Sequence, residues 1–274
     1  MPAVPRGIFR RRRPSYSAIG QAGAVSGRSR LTAIGLVLMV VSIIPTSFTH
    51  QDHAMWTPNW LGAPGQITHP PNPSYELEAF DPARVASSPG TVALSIRKDP
   101  VTVAGITYRY RSGAITGYRK QSYVYGYFSA RVFVPCAAGQ VVNWPAFWLV
   151  GDPYRWPATG EIDIFEGLGG HLWWHFHFRD SSGSPASYGG DAAGSYCGWH
   201  KFAVSWRPAA IRWFYDGTPV GKVTQNITSS PMFPVFSYSV TDPGSARCVQ
   251  HPESCGGAID PRAVMRVRNF MARP

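Results

Sequence analysis

The chain has 274 residues, 14% of them aromatic, with 28 Gly and 25 Pro scattered along it. That length suits one large β domain or two small ones, and the Gly/Pro punctuation suits many short strands rather than helices. The formal charge of +11 is concentrated, because residues 1–30 hold seven Arg and no acid and leave the remainder at +4. So mildly basic a body gives no reason to expect nucleic acid as a partner.

The Arg-rich start runs into LTAIGLVLMVVSII at residues 31–44, then Pro45. This apolar run is short of the roughly 20 residues that span a bilayer. A basic stretch followed by a short apolar run reads as an export signal over residues 1–50. No small-x-small cleavage site follows, so an uncleaved anchor is the alternative, and it is the one membrane contact expected. The protein is therefore expected to be secreted, or held on the outer membrane face, and monomeric. Export makes Cys136, Cys197, Cys248 and Cys255 disulfide candidates. Cys248 and Cys255 are close in sequence across a Pro/Gly-containing loop, so a local bridge is the simplest pairing, leaving Cys136 with Cys197. No Cys-x-x-Cys supports zinc or redox chemistry.

Residues 51–74, with Trp56 and Trp60 among Pro and Gly, read as a linker or irregular lead-in. From residue 75 to 274 short β runs make one domain. Residues 91–98 alternate, 106–118 carry a turn at Ser112 and Gly113, and 122–135 are the cleanest alternation. Residues 141–151 are almost continuously apolar; 171–178 read HLWWHFHF. A polar Gly/Ser-rich stretch at 180–195 reads as a loop. Strands resume at 200–208 and 211–223, the latter with a hairpin at Asp216 and Gly217. Runs at 234–240 and 263–272 close the series. No helix longer than two turns and no internal repeat are evident, which argues for a β-sandwich or jelly roll.

The sharpest feature is GEIDIFEGLGG at residues 160–170. Acids alternating with Ile read as a strand with one apolar and one carboxylate side. Glu161 and Asp163 share a face, but Glu166 lies at an odd offset from both and would point into the core. A β-bulge at Ile164 and Phe165 would restore it to the acidic face and avoid burying a carboxylate among apolar groups. Carboxylates facing one cleft are the equipment of glycosidic bond hydrolysis, one as nucleophile or base and one as proton donor. Like charges in a row raise at least one pKa, which keeps a proton available near neutrality. Trp144 and Trp148 share a face and offer sugar platforms; Trp173, His175 and His177 share another, where a His could orient the donor. Calcium sites usually use Gly-containing loops with carbonyl ligands, so no metal and no cofactor are expected here.

At these residues the chain resembles glycoside hydrolase family 16, in its bulged Glu-x-Asp-x-x-Glu form. The likeness extends over Tyr110-Arg111-Ser112-Gly113, YGYFSAR from Tyr125 to Arg131, WPAFW from Trp144 to Trp148, the Trp156-to-Gly160 lead into the signature, and WRPAAIRWFYDG from Trp206 to Gly217. It implies an all-β, concanavalin-like jelly roll of two curved antiparallel sheets with a concave cleft. It also implies a retaining mechanism, with Glu161 as nucleophile, Glu166 as general acid/base and Asp163 assisting. Trp144, Trp148 and Trp156, with His175 and His177, are the implied substrate-binding set. The expected partner is a polysaccharide, with β-1,3-glucan leading; another polysaccharide, transglycosylation, or a non-catalytic carbohydrate-binding jelly roll are the alternatives. One departure stands out: Arg268 occupies the position where the family's last strand often carries a calcium-binding Asp.

Overall fold

The computed structural model describes residues 55–274; the export or anchor segment expected at residues 1–50 lies outside the described residues. The alternating runs form two main sheets. One has six strands in the order Pro185–Asp191, His171–Arg179, Glu161–Leu168, Trp144–Gly151, Met232–Ser239 and Ala114–Thr116. The other runs Glu78–Phe80, Tyr110–Ser112, Thr91–Arg97, Val264–Arg273, Gly126–Val134, Gly198–Arg207, Ala210–Tyr215 and Thr218–Val223, with Val85–Ser88 paired to Thr91–Arg97 as a ninth strand. Among the described strands only Glu78–Phe80 and Tyr110–Ser112 pair in parallel.

Period-2 alternation sends one face of each sheet into a shared core. Phe147, Leu149, Ile162, Phe165 and Phe176 of the six-stranded sheet meet Leu94, Phe128, Phe202, Trp213 and Met265 of the nine-stranded one. The layers touch directly at Phe165–Phe202, with ring centres 4.2 Å apart, and at Trp174–Trp213, 4.5 Å apart. Each such side chain stabilises the fold by about 1.5–3 kcal/mol relative to exposure. Asp216 (φ 48°) and Gly217 (φ 84°) both take the left-handed region, as a two-residue hairpin requires. The one α-helix among the described residues, Ala246–Gln250, spans five residues and is capped by the Ser245 side chain.

The disulfides are Cys136–Cys197 and Cys248–Cys255, the pairing expected from spacing. The first ties the strand Gly198–Arg207 to the stretch after Gly126–Val134 and closes a separation of 61 residues. In the chain-entropy account a loop of that size stabilises the folded state by about 4 kcal/mol.

Two expectations need correction. The stretch at 180–195 is not all loop, because Pro185–Asp191 is the edge strand of the six-stranded sheet, paired to His171–Arg179 throughout. Its exposure alternates without any fully buried position, so it lacks the apolar face that marks a strand in sequence. Of the segment expected as a linker or irregular lead-in, residues 55–74 are irregular and packed on the fold: Trp56 and Trp60 are buried, and Thr57 bridges to Thr116 at the end of the six-stranded sheet. The turn expected at Ser112 and Gly113 is instead a crossing between sheets: Ile106–Tyr108, Tyr110–Ser112 and Ala114–Thr116 enter three different sheets. Gly113 sits at the crossing, where a Cβ would lie 2.7 Å from the Arg84 carbonyl oxygen.

Candidate active site

The bulge lies at Ile164 and Phe165. Toward Trp144–Gly151, Phe165 pairs with Phe147 and Asp163 with Trp148, so Ile164 has no counterpart. Toward His171–Arg179, Asp163 pairs with His175 and Glu166 with Trp173, leaving two residues opposite Trp174 alone. Ile164 and Phe165 both enter the core, while Glu161, Asp163 and Glu166 share the opposite, concave face.

A bulge disrupts the ladder, and its carbonyls need other donors. Two come from the strand Ala210–Tyr215 across the core. The Trp213 indole N–H donates to the Asp163 carbonyl at 2.8 Å, and the Tyr215 hydroxyl donates to the Ile164 carbonyl at 3.0 Å. Both donors are fully buried. The bulge is thus clamped from the far sheet, a role the sequence does not reveal.

Glu166 is held through both oxygens. His175 Nδ1 lies 2.6 Å from Oε1, and the Trp144 indole N–H donates to Oε2 at 3.0 Å. His177 Nε2 lies 3.3 Å from Asp163 Oδ2 and 3.8 Å from Glu161 Oε1. Burial pushes Glu161 well above the usual carboxylate range, and the Asp163 charge adds to this; His177 opposes it. Burial and then the Glu166 charge push Asp163 up in the same way. His175 feels burial as a downward pull, but its hydrogen bond and charge interaction with Glu166 outweigh it and raise its pKa. Glu161, Asp163 and His175 therefore each keep a proton to higher pH than the free groups do.

The His175 ring takes its place because strand Pro185–Asp191 presents glycine there. A Cβ on Gly189 would lie 1.9 Å from His175 Cδ2. Gly190 leaves room for Trp174 in the same way: a Cβ on Gly190 would lie 2.9 Å from the indole ring.

The expected aromatic platforms divide. Trp144 is half-buried at the cleft, its ring 6.4 Å from and nearly parallel to that of Tyr75, which Arg247 covers at 5.0 Å. Trp156 is 43% exposed and stands 5.8 Å from the His177 ring at the rim. Trp148 is corrected as an open platform: it is only 7% exposed, because Trp60 stacks on it at 5.1 Å. Trp60, Trp148, Val150, Phe233 and Val235 form a second apolar cluster on the concave face. The concave face is therefore covered over Trp148, Val150 and Met232–Ser239, and most accessible at the half-buried Trp144, Glu161, His175 and His177.

The last strand offers no carboxylate for the calcium site that the resemblance implies. Arg268 stands at that position and its guanidinium lies 4.0 Å over the Trp199 ring, so the residues there do not fit a cation. On the concave face, by contrast, ligand atoms of Asp163, Glu166, His175 and His177 all lie within 4.8 Å of one another.

Residues 79–241 match the family model described as Glycosyl hydrolases family 16. An endo-1,3-1,4-beta-glycanase of Rhizobium meliloti is 26% identical over 183 residues, covering 62% of this chain and 36% of that protein. A beta-glucanase of Rhodothermus marinus is 28% identical over 159 residues, which is 52% of each. The chain thus spans about a third to a half of the length of these relatives. Among solved structures, the laminarinase catalytic domain from Thermotoga maritima shares the fold, with a TM-score of 0.61 over 80% of this chain and 91% of that chain at 20% identity. With the bulged acidic strand, the clamped concave cleft and a family match through both sheets, the chain belongs to glycosyl hydrolases family 16.

Proposed function

We propose that the protein is a retaining endo-β-glycanase acting on β-1,3-glucan. Glu161 attacks the anomeric carbon while Glu166 gives its proton to the departing glycosidic oxygen. The resulting glycosyl–Glu161 ester is then attacked by water, whose proton returns to Glu166, and Glu161 leaves as a carboxylate. Asp163 lies between the two and, with His177, sets the charge that Glu161 feels. His175 and Trp144 fix the Glu166 carboxyl for proton transfer, a function usually worth about 10²–10⁴ in rate. Trp144 and Trp156 offer rings to sugar faces at the cleft.

The observation that carries this reading is the bulge: it delivers the third acid to the concave face, between the Trp144 indole and the His175 ring. The names of the relatives support a β-glucan, and the Rhizobium name adds mixed 1,3-1,4 linkage as the second reading. Purified enzyme is expected to release oligosaccharides from laminarin, with the β-anomer first seen by NMR. Glu161→Gln is expected to lower kcat by at least about 10⁴ with the fold intact. Unchanged cleavage by that variant would end the mechanism, and activity confined to agarose or carrageenan would end the β-1,3-glucan reading.

We also propose that the protein works outside the cytoplasm, as a monomer. Two disulfides and no free thiol among the described residues support an oxidising compartment. Cell fractionation and light scattering test both statements.

A further inference from the structure

We propose that Asp163, Glu166, His175 and His177 form a binding site for a zinc-class divalent transition-metal ion, and that an ion bound there switches the active site off. Nothing in the order of the residues hints at this, since the acids and histidines lie on separate strands. Register brings them together: Asp163 faces His175, and the bulge lifts Glu166 to the same surface.

Two imidazoles and two carboxylates converge, with all four ligand atoms within 4.8 Å of one another. A tetrahedron with bonds of about 2.0–2.1 Å has edges of about 3.3–3.4 Å. The His177–Asp163 pair already sits at 3.3 Å, while the His175–Glu166 pair at 2.6 Å must open slightly and the widest pair must close. A second observation points to a ligand. The Asp163 side chain is only 7% exposed, and its Oδ2, aimed at the cluster, makes no hydrogen bond; its near neighbour is His177 Nε2 at 3.3 Å, itself one of the four ligands. A buried carboxyl oxygen without a hydrogen bond is costly, and an ion held between it and His177 would meet both groups.

The donor set selects the ion. Calcium and magnesium take oxygen ligands almost exclusively, whereas imidazole with carboxylate suits zinc, copper and nickel. Zinc has no geometric preference from its d-electrons and so tolerates the adjustments above. Support behind the ligands is in place: the Trp144 N–H holds Glu166 Oε2 and leaves Oε1 for the ion, and Gly189 leaves room for the His175 ring. An ion so held occupies the lone pairs of Glu166 that receive the catalytic proton and fills the space above Asp163. Hydrolysis then stops without any change of fold.

Ion binding is measured with no sugar present, so it stands apart from the glycan reading. The full chain, stripped with chelator and then dialysed, is titrated with Zn²⁺ by calorimetry. One ion per chain is expected, with affinity falling at least about tenfold in both His177→Ala and Asp163→Asn. Co²⁺ in place of Zn²⁺ is expected to give the intense visible absorption of a four-coordinate site, lost in both variants. Circular dichroism checks that each variant is folded, and His177→Gln replaces any that is not. No stoichiometric binding by the unaltered chain, or unchanged affinity in either folded variant, overturns the proposal. Such a result would leave the test of β-glucan cleavage untouched.

Discussion

Glu166 and His175 depend on a residue with no side chain. The His175 ring reaches Glu166 across space that Gly189 leaves empty, and a Cβ there would lie 1.9 Å from the ring. Gly189 does not use a left-handed backbone, so alanine tests the steric point without backbone strain. Gly189→Ala is expected to lower kcat by about 10²-fold while KM changes little, since under the proposed mechanism Glu166 loses its partner and Trp144 and Trp156 do not move. The pH–rate profile should shift as well; a profile and kcat matching the unaltered enzyme would remove Gly189 from this role. The three acids were legible in the sequence because alternation with Ile is a strong period-2 signal and a misplaced carboxylate is costly. The His175–Glu166 contact was not, because pairing across a bulge depends on register. Nor was the covering of Trp148, which depends on Trp60, almost ninety residues upstream.

Strands carry this site, and one strand holds another in shape. Ala210–Tyr215 lies in the opposite sheet, yet its Trp213 and Tyr215 donate to the carbonyls of Asp163 and Ile164. Tyr215→Phe keeps the ring in the core and deletes one donor. Leaving a buried carbonyl unsatisfied costs about 1–3 kcal/mol. The variant should unfold at correspondingly lower urea and lose activity beyond what stability explains, because the bulge that aims Glu166 is loosened. Equal activity at saturating substrate well below the unfolding midpoint would show that the clamp is purely structural. The segment IRWFY was readable as a strand from its aromatic alternation, but its hydrogen bonds answer a defect in another element. Pro185–Asp191 escaped for the opposite reason: it has no buried position, and its glycines exist to accommodate the rings of His175 and Trp174.

At the scale of the whole molecule, acids among the described residues are buried outside the cleft as well. Besides the cleft, Glu76 and Glu78 lie together in the core. Burial raises both, and the Glu76 charge adds to the shift at Glu78. Glu78 accepts a hydrogen bond from the Val240 N–H at 2.9 Å. In the unfolded chain these carboxyls titrate near about 4. In the folded chain Glu76, Glu78, Glu161 and Asp163 all titrate higher, so the native state binds more protons over the interval between. Their contribution to stability is complete below about pH 4 and is lost as pH rises through the raised folded values. The urea midpoint is therefore expected to fall from mildly acid toward alkaline pH, and Glu78→Gln should flatten that slope. A midpoint that rises over this range in the unaltered protein would contradict this linkage. The sandwich itself was legible from many alternating runs and turn residues, whereas the order of strands was not, because it is set by pairings distant in the chain.

That order bears on how the protein is made. Val264–Arg273 lies between Thr91–Arg97 and Gly126–Val134, near the middle of the nine-stranded sheet. Two parts of the sheet that leave the ribosome early stay apart until residues near 270 have emerged. The nascent chain must hold its edges open through most of synthesis, exposed to chaperones and to any export machinery that needs an unfolded substrate.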